Sequence, residues 1–568
     1  MAVRRLALVD LEGGDQPIAN EPGTVLALLN GEIYNHLALR RELEAQGHRF
    51  RTRCDTEVLV HLYEELGDRF LTRLEGMFGL AIFDRDRRRL LIARDGPGIK
   101  PLYYARTPQG FVFASEVKAL FAAGLVQPRP DVRALDVYLA IGFVPSPMTA
   151  FAGVEKLAGG TYAVADRSGV TLDSFWRFAY RTDDPGLSDD EYVEELERRL
   201  TAAVDSHLRA DVPIGALLSG GWDSSLVTTL AARGFGSRLQ TFSIVFPEDP
   251  DADESRHSRR MAAWLGTDHR EVEYRSGMFL DLLPRLVRHL EEPFSTIPTM
   301  LGLVLSSLAG AHVKAVIGGE GADELFGGYE MFRRPYPYWL RALTPRPLAE
   351  LVARHAPDHR IRRWMRIAGA PTPRAADAEW RRVLLPGEKR DILKPELVSA
   401  GPDVAPSLIS PELAATCRDG MQRRLASEIR GRLSDAILVS HDKLAMAHSL
   451  EVRVPFLDRG VVELAERMPS RLKMHHGREK VVVGRLARRL LPPDIAARRK
   501  QGLGYPRANW VGSPAADRLR QFLLDGADRG PFLRRPMERL LERKARMLGP
   551  HQSLATLVMV QAWWSEFF

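Results

Sequence analysis

Cysteine is nearly absent from the 568 residues: Cys54 and Cys417 are the two, one in each half. A disulfide framework is thereby excluded, and with it any multi-cysteine zinc or iron–sulfur centre. Long apolar runs are missing as well. The longest weakly polar stretch, 294–311, is interrupted by Pro298 and several Ser and Thr, which suits a buried helix better than a membrane span. The opening Met1-Ala2-Val3-Arg4-Arg5 lacks the basic–apolar–small order of a signal peptide, so a cytoplasmic location is expected. The net charge is +7 and the pI near 9.4, yet no run of five or six like charges and no basic patch interleaved with aromatics occurs. Arginine outnumbers lysine and is spread along the whole chain. Neither a nucleic acid nor a membrane is expected as partner; an anionic substrate is.

What is present reads as an ordinary soluble chain, 45% hydrophobic and 27% charged, too long for a single core and suited to two or three domains. Residues 1–180 form the first unit. Strand-like runs fall at 24–29, 78–83, 90–93 and 111–115. Amphipathic helices fall at 36–47 and 56–67, each ending at a glycine suited to a left-handed cap. A polar linker, 182–186, follows. The second unit spans 188–568 and opens on the capping box Ser188-Asp189-Asp190-Glu191. Val193, Leu196, Leu200 and Val204 then recur at helical spacing. Apolar strands at 214–218, 239–246 and 313–317 alternate with helices at 226–232 and 258–265. Uninterrupted apolar strands separated by helices predict a parallel sheet buried on both faces. Beyond 330 the text is mostly helical and punctuated by proline, and 331–410 says least.

The sharpest local pattern is Ser219-Gly220-Gly221-Trp222-Asp223-Ser224-Ser225, between a strand and a helix expected to begin near Ser224. Two glycines allow a tight turn that bares backbone N–H groups toward an anion, and the helix start adds its dipole. The serines supply hydroxyls, and Asp223 a carboxylate for a magnesium ion on the phosphates. The Gly-Lys-Ser/Thr ending of a Walker loop is missing. Gly318-Gly319-Glu320-Gly321-Ala322-Asp323-Glu324 follows the strand 313–317. Carboxyl ends of parallel strands share one edge, so the two turns should face each other. Asp223 and Asp323 could hold one cation, leaving Glu320 and Glu324 for substrate or proton work. The stretch 441–458, His441 to Asp458, mixes charge into an apolar run, so it is a site wall or a buried ion-pair network. Lys480, in Gly477-Arg478-Glu479-Lys480, would by composition alone be a surface residue.

Taken in order, 219–225, 318–329, 449–458, 477–480 and Arg499-Lys500-Gln501-Gly502 resemble the synthetase domain of glutamine-dependent asparagine synthetases of the B type. In the first unit, 4–10, Asn30-Gly31-Glu32-Ile33-Tyr34-Asn35-His36, Asp55-Thr56-Glu57 and Gly98-Ile99-Lys100-Pro101 are similar to that family's glutaminase domain. The resemblance covers nearly the whole chain. It implies an α/β protein: an N-terminal Ntn-hydrolase-like αββα sandwich, incomplete at its first strands, and a C-terminal parallel-sheet domain like that of adenine-nucleotide α-hydrolases. The implied reaction converts ATP and aspartate to β-aspartyl-AMP and pyrophosphate, after which ammonia displaces AMP. By position, Leu217, Ser219, Gly220, Gly221, Asp223, Ser224, Ile244, Gly318 and Gly319 would bind ATP. Asp223 and Asp323 would bind Mg2+, Glu320 would sit near the attacking ammonia, and Lys480 would stabilise charge at the phosphate. Arg5, Asn30, Gly31, Glu32 and Asp55 would bind glutamine. A homodimer is compatible with the resemblance.

Three departures stand out. Family members begin Met-Cys-Gly and use the exposed cysteine as nucleophile, whereas Ala2 follows Met1 here. Cys54 lacks the free α-amine to replace it. A start placed too late, or a truncated chain, is the expected explanation, and the chain as it stands should use ammonia rather than glutamine. Trp222, in place of a smaller aliphatic, and Gly96-Pro97 bear on substrate choice. The alternative function is a related amide-forming enzyme, similar to β-lactam synthetases or peptide-cyclising paralogues, acting on another carboxylic acid.

Overall fold

The computed structural model describes residues 2–181, 186–234, 239–275, 277–295, 298–329, 332, 343–356, 359–399, 408–498, 514–545 and 552–568. The expected linker, apart from Gly186, and the Arg499–Gly502 motif lie outside them. Period-two alternation builds the N-terminal part. Strands β1 (Ile18–Ala19), β2 (Val25–Ile33), β3 (Gly76–Asp84), β4 (Arg89–Arg94), β8 (Thr161–Asp166) and β9 (Gly169–Ser174) form one six-stranded sheet. Strands β5 (Tyr103–Thr107), β6 (Gly110–Ala114) and β7 (Glu155–Lys156) form a second sheet, ordered β6-β5-β7. On the larger sheet, Val25, Ala27, Leu29, Phe78, Leu80, Ile82 and Leu91 turn toward the helices His36–Ala45 and Glu57–Leu66. The intervening Leu28, Ala81 and Ile92 turn the other way, toward Leu102 and Tyr104 of the smaller sheet. The helices Val117–Ala122 and Val132–Ile141 close the far side, which completes an αββα sandwich.

Only the patterned strands were legible in advance. The exposed face of β9 and the mixed burial of β5 and β8 blur their alternation. Both terminal glycines of the expected helices have positive φ, Gly47 at 103° and Gly67 at 54°.

The second sheet system is parallel throughout, ordered β12-β11-β10-β13-β14 from β10 (Ile214–Leu217), β11 (Gln240–Val245), β12 (Asp268–Glu273), β13 (Ala315–Ile317) and β14 (Glu451–Arg453). Chain order reverses direction at β10: β11 and β12 lie on one side, β13 and β14 on the other. Crevices at such reversal points bind ligands in open parallel sheets. The helix Asp189–His207 packs beneath with Leu196, Leu200 and Val204 buried, and each contributes about 1.5–3 kcal/mol. Its capping box forms as expected, with Glu191 N–H donating to Ser188 Oγ and Ser188 N–H to Glu191 Oε2. Strands β12 and β14 escaped the sequence reading because they carry charge: β12 is Asp-His-Arg-Glu-Val-Glu and β14 is Glu-Val-Arg.

The charge on β14 has a structural purpose. Arg453 Nε donates to Glu451 Oε1 at 3.0 Å, and Arg453 Nη2 lies 3.5 Å from Glu32 Oε1 of the sandwich. Lys100 Nζ, also from the sandwich, donates to Asp442 Oδ1 at 2.7 Å and to Glu451 Oε2 at 3.2 Å. All five groups are buried. Of the two readings of 441–458, the structure thus realises the buried network for Arg453, and it joins the two halves of the chain. Removing one member strands the others without solvent. Lys100→Met is therefore expected to destabilise the protein by about 3–5 kcal/mol, seen as a lowered urea midpoint; an unchanged midpoint would remove the network from the interface.

Candidate active sites

The turn after β10 closes on itself. Ser219 Oγ lies 3.0 Å from Ser224 Oγ, Ser219 N–H donates to Ser224 Oγ at 3.2 Å, and Gly221 N–H donates to Ser219 Oγ at 3.3 Å. Gly220 has φ 74°, and a Cβ there would lie 2.6 Å from the backbone of His257, so a side chain is refused twice. Arg498 Nη1 donates to Gly220 O at 3.0 Å and fixes the turn from outside. The helix Trp222–Gly234 begins two residues earlier than expected, which places Asp223 in its first turn.

The turn after β13 meets the first turn directly. A Cβ on Gly319 would lie 2.8 Å from both Asp223 Cβ and Ser224 N, so only glycine allows the two to touch. A Cβ on Gly318 would collide with the carboxylate of Glu320, which folds back over it. Leu217 ends β10, pairing with Phe242, and Ile244 continues β11 two residues past that pair.

Lys480 completes the cluster. Its Nζ lies 2.5 Å from Asp223 Oδ2 and 2.5 Å from Asp323 Oδ1. The lysine is buried, contrary to its reading as a surface residue on composition, and it caps the helix Val481–Leu490 with φ 47°. The two carboxylates therefore converge on one point, where a cation already sits. Asp223 Oδ1 is buried without a hydrogen-bond partner. Asp223 Oδ1, the oxygen that Lys480 leaves unbonded, and the facing carboxylate of Asp323 are hard donors that would fit a divalent ion.

Glu320 and His441 form a second pair, with His441 Nδ1 3.3 Å from Glu320 Oε1. Burial pushes the Glu320 carboxyl up, but the hydrogen bond and charge of His441 outweigh it and leave it below the usual range. Burial likewise lowers His441, and Glu320 more than reverses this, holding it above the ordinary imidazole value. Glu320 Oε2 is buried and unpartnered. His441 stood within a motif of the sequence without a role, and nothing in a single chain shows that the helix Leu438–Met446 brings it to Glu320. Glu324 is buried and accepts a hydrogen bond from Tyr329 OH. Trp222 turns its indole N–H to Ile495 O at 3.2 Å and packs its ring on Gly484, on the neighbouring helix.

In the sandwich, Arg5 lies beside Cys54, the neighbour of Asp55, and Asp55 in turn lies near Glu32 at the end of β2. Arg5 donates to the main-chain oxygens of Val9 and Asp10 and lies 3.8 Å from Cys54 Sγ. Ile33 N–H donates to Asp55 Oδ2 at 2.7 Å. Burial raises Asp55 against that bond. Burial and the nearby Asp55 charge hold Glu32 well above the carboxylate range, with Arg453 opposing. Asn30 Nδ2 donates to Ser115 Oγ at 3.1 Å. Gly31 has φ 137°, and a Cβ there would strike Met77 O at 1.9 Å. Burial pushes the Cys54 thiol up to about 12, so it is no nucleophile at neutral pH. Between the sandwich and the parallel sheet lies a cavity of about 80 Å³ lined by Tyr34, Phe78, Trp176, His207, Leu457 and Asp458.

A phosphate-type turn at the reversal point of a parallel sheet, joined through buried charge to an αββα sandwich, is the arrangement of a nucleotide-using enzyme. The sequence comparisons are specific about which. Residues 195–565 match asparagine synthase and residues 1–176 match the glutamine amidotransferase domain. The chain is 31% identical to asparagine synthetase (glutamine-hydrolyzing) 1 of Bacillus subtilis, over 92% of its own length and 82% of the relative's. It is 33% identical to a putative asparagine synthetase (glutamine-hydrolyzing) of Mycobacterium tuberculosis, over 89% and 79%. It is 28% identical to amidase chyE of Penicillium rubens, over 91% and 83%. The chain belongs to the asparagine synthase family and is a carbon–nitrogen ligase. Among the described residues, no helix is long and apolar enough to cross a membrane.

Lys480→Met should leave Asp223 and Asp323 facing each other without a cation, a loss of about 2–3 kcal/mol. Adding Asp223→Asn should recover most of it. Urea denaturation of the double-mutant cycle checks this: strictly additive losses would show that the three groups do not act as one unit.

Proposed function

We propose that this protein is an asparagine synthetase that activates aspartate with ATP, forming β-aspartyl-AMP and releasing pyrophosphate, and then lets ammonia displace AMP. The observation that carries this reading is the convergence of Asp223, Asp323 and Lys480 beside the Ser219–Ser224 turn. In it, residues 188–568 form the synthetase domain and 1–180 the glutaminase domain. Backbone and hydroxyl donors of Ser219, Gly220, Gly221 and Ser224 cradle the pyrophosphate, and Gly318 and Gly319 let the nucleotide approach. Leu217 and Ile244 border its apolar part. Asp223 and Asp323 would hold Mg2+, which would neutralise phosphate charge; Lys480 adds a fixed ammonium for charge growing at the phosphate. Glu320, kept ionised by His441, accepts a proton from the attacking ammonia. Arg5 and Asp55 bind the carboxylate and amine of glutamine, Asn30 and Gly31 stabilise its oxyanion, and Glu32 lies beside the amine, so that glutamine is the nitrogen donor when the glutaminase centre is complete.

Aspartate, ATP, Mg2+ and ammonium together should yield AMP, pyrophosphate and asparagine in equal amounts, quantified by coupled phosphate assay and chromatography. Pyrophosphate formed with other carboxylic acids and never with aspartate would instead favour the paralogue reading. Asp223→Asn should lower the rate at least about 10²-fold; full activity would refute the metal assignment.

His441→Gln removes the group that holds Glu320 ionised. Burial alone then raises the Glu320 pKa, so the acid limb of the kcat profile should move to higher pH in the variant. A limb that stays in place, or moves to lower pH, would separate His441 from the base.

A further inference from the structure

In the sandwich, four side chains from three segments turn their ligand atoms toward one point. They are Glu21 from the turn after β1, His48 from the segment after the helix His36–Ala45, and His61 and Glu64 from the helix Glu57–Leu66. One ligand atom from each lies within 4.8 Å of the others. We propose that Glu21, His48, His61 and Glu64 form a structural zinc(II) site.

The separations favour an ion over a simple hydrogen-bond cluster. Zinc bonds of 2.0–2.2 Å to nitrogen and oxygen set tetrahedral edges of about 3.3–3.5 Å. His61 Nδ1 lies 3.3 Å from Glu64 Oε2 and 3.5 Å from Glu21 Oε2, and His48 Nδ1 lies 3.9 Å from Glu64 Oε2. Two imidazoles and two carboxylates are a set zinc accepts, and the two negative charges balance its own.

The atoms not facing the centre are held from behind. His48 Nε2 bonds Glu65 Oε1 at 2.9 Å, the carboxylate–histidine relay that fixes a metal-bound imidazole. Asn20 Nδ2 donates to Glu64 Oε1 at 2.6 Å, and Arg49 N–H donates to Glu21 Oε1 at 3.1 Å. In both carboxylates this leaves Oε2 for the centre.

His61 is the member a hydrogen-bond cluster serves worst. It is buried, its Nδ1 faces two carboxylate oxygens but has one proton to give, and its Nε2 has no partner. A metal on Nδ1 moves the proton to Nε2, where Glu57 Oε1 stands 4.0 Å away and becomes the acceptor after a small closure. The ion would then brace the segment between His48 and Glu57, which includes Cys54 and Asp55.

The test is metal content and melting temperature of the full-length protein. Purified protein exposed to zinc sulfate and passed through gel filtration should keep about one equivalent of zinc by mass spectrometry. Its melting temperature should rise by about 2 °C at zinc a hundredfold above Kd, with no such rise in magnesium. Glu21→Gln and Glu64→Gln, both partly exposed and near-isosteric, should lose the equivalent and the shift. A His475→Ala, His476→Ala double variant, which removes another histidine pair, should keep both. Retained zinc below about 0.1 equivalent, or an equivalent that survives in both glutamine variants, would overturn the site.

Discussion

Asp223 and Asp323 come from turns at the ends of adjacent strands, yet both place a carboxylate oxygen 2.5 Å from the one ammonium of Lys480. That convergence governs the surrounding backbone. The turns approach so closely that Gly319 has no space for a methyl group, and Gly220 has none against the segment at His257. A cluster of this kind repels itself unless a cation stands in the middle, so the geometry that suits triphosphate chemistry also dictates which residues the turns can contain. Glu320 sits in the same frame, folded over Gly318 and turned to His441.

The second organising element is charge buried between the halves. Glu32 and Lys100 of the sandwich meet Arg453, Glu451 and Asp442 of the other half, all removed from water. Other pairs extend the seam, including Lys156 with Glu292 at 2.7 Å. Backbone contacts add to it: Arg94 Nη2 donates to Ser434 O at 3.2 Å, and Ser146 N–H to Asp435 Oδ2 at 2.8 Å. The segment carrying Ser434 and Asp435, Glu428–Ile437, is wound as a π-helix, a form that recurs at functional places because it re-aims side chains within a helix. Ion pairs in a dry seam permit few relative positions, so the spacing of the two centres is set by electrostatics as much as by shape.

How much of this could be read from the chain follows from where each signal is stored. Ser219–Asp223 and Gly318–Asp323 are local: glycine, hydroxyl and carboxylate at fixed spacing after an apolar strand announce a turn with a task, and the sheet's direction implies that they meet. The helix Asp189–His207 was legible from its cap and its apolar period. By contrast, β12 and β14 are short and charged, so no period marks them, and their strand character comes from neighbours already in the sheet. His441 reaches Glu320, and Lys100 reaches Asp442, only through tertiary folding. Lys480 shows the same limit: composition placed it on the surface, and its burial depends on two carboxylates more than 150 residues upstream.

Position 480 also shows what happens when two demands conflict. Its φ of 47° is one that glycine or asparagine adopts with least strain and other side chains rarely adopt. Left to backbone preference, random substitution would drift there toward a small residue and a more relaxed helix start. Such drift would erase the positive charge that lets two acidic turns face each other. The chain keeps the strained lysine, so in any collection of variants selected for thermal robustness alone, this is the place where stability and chemistry should part company.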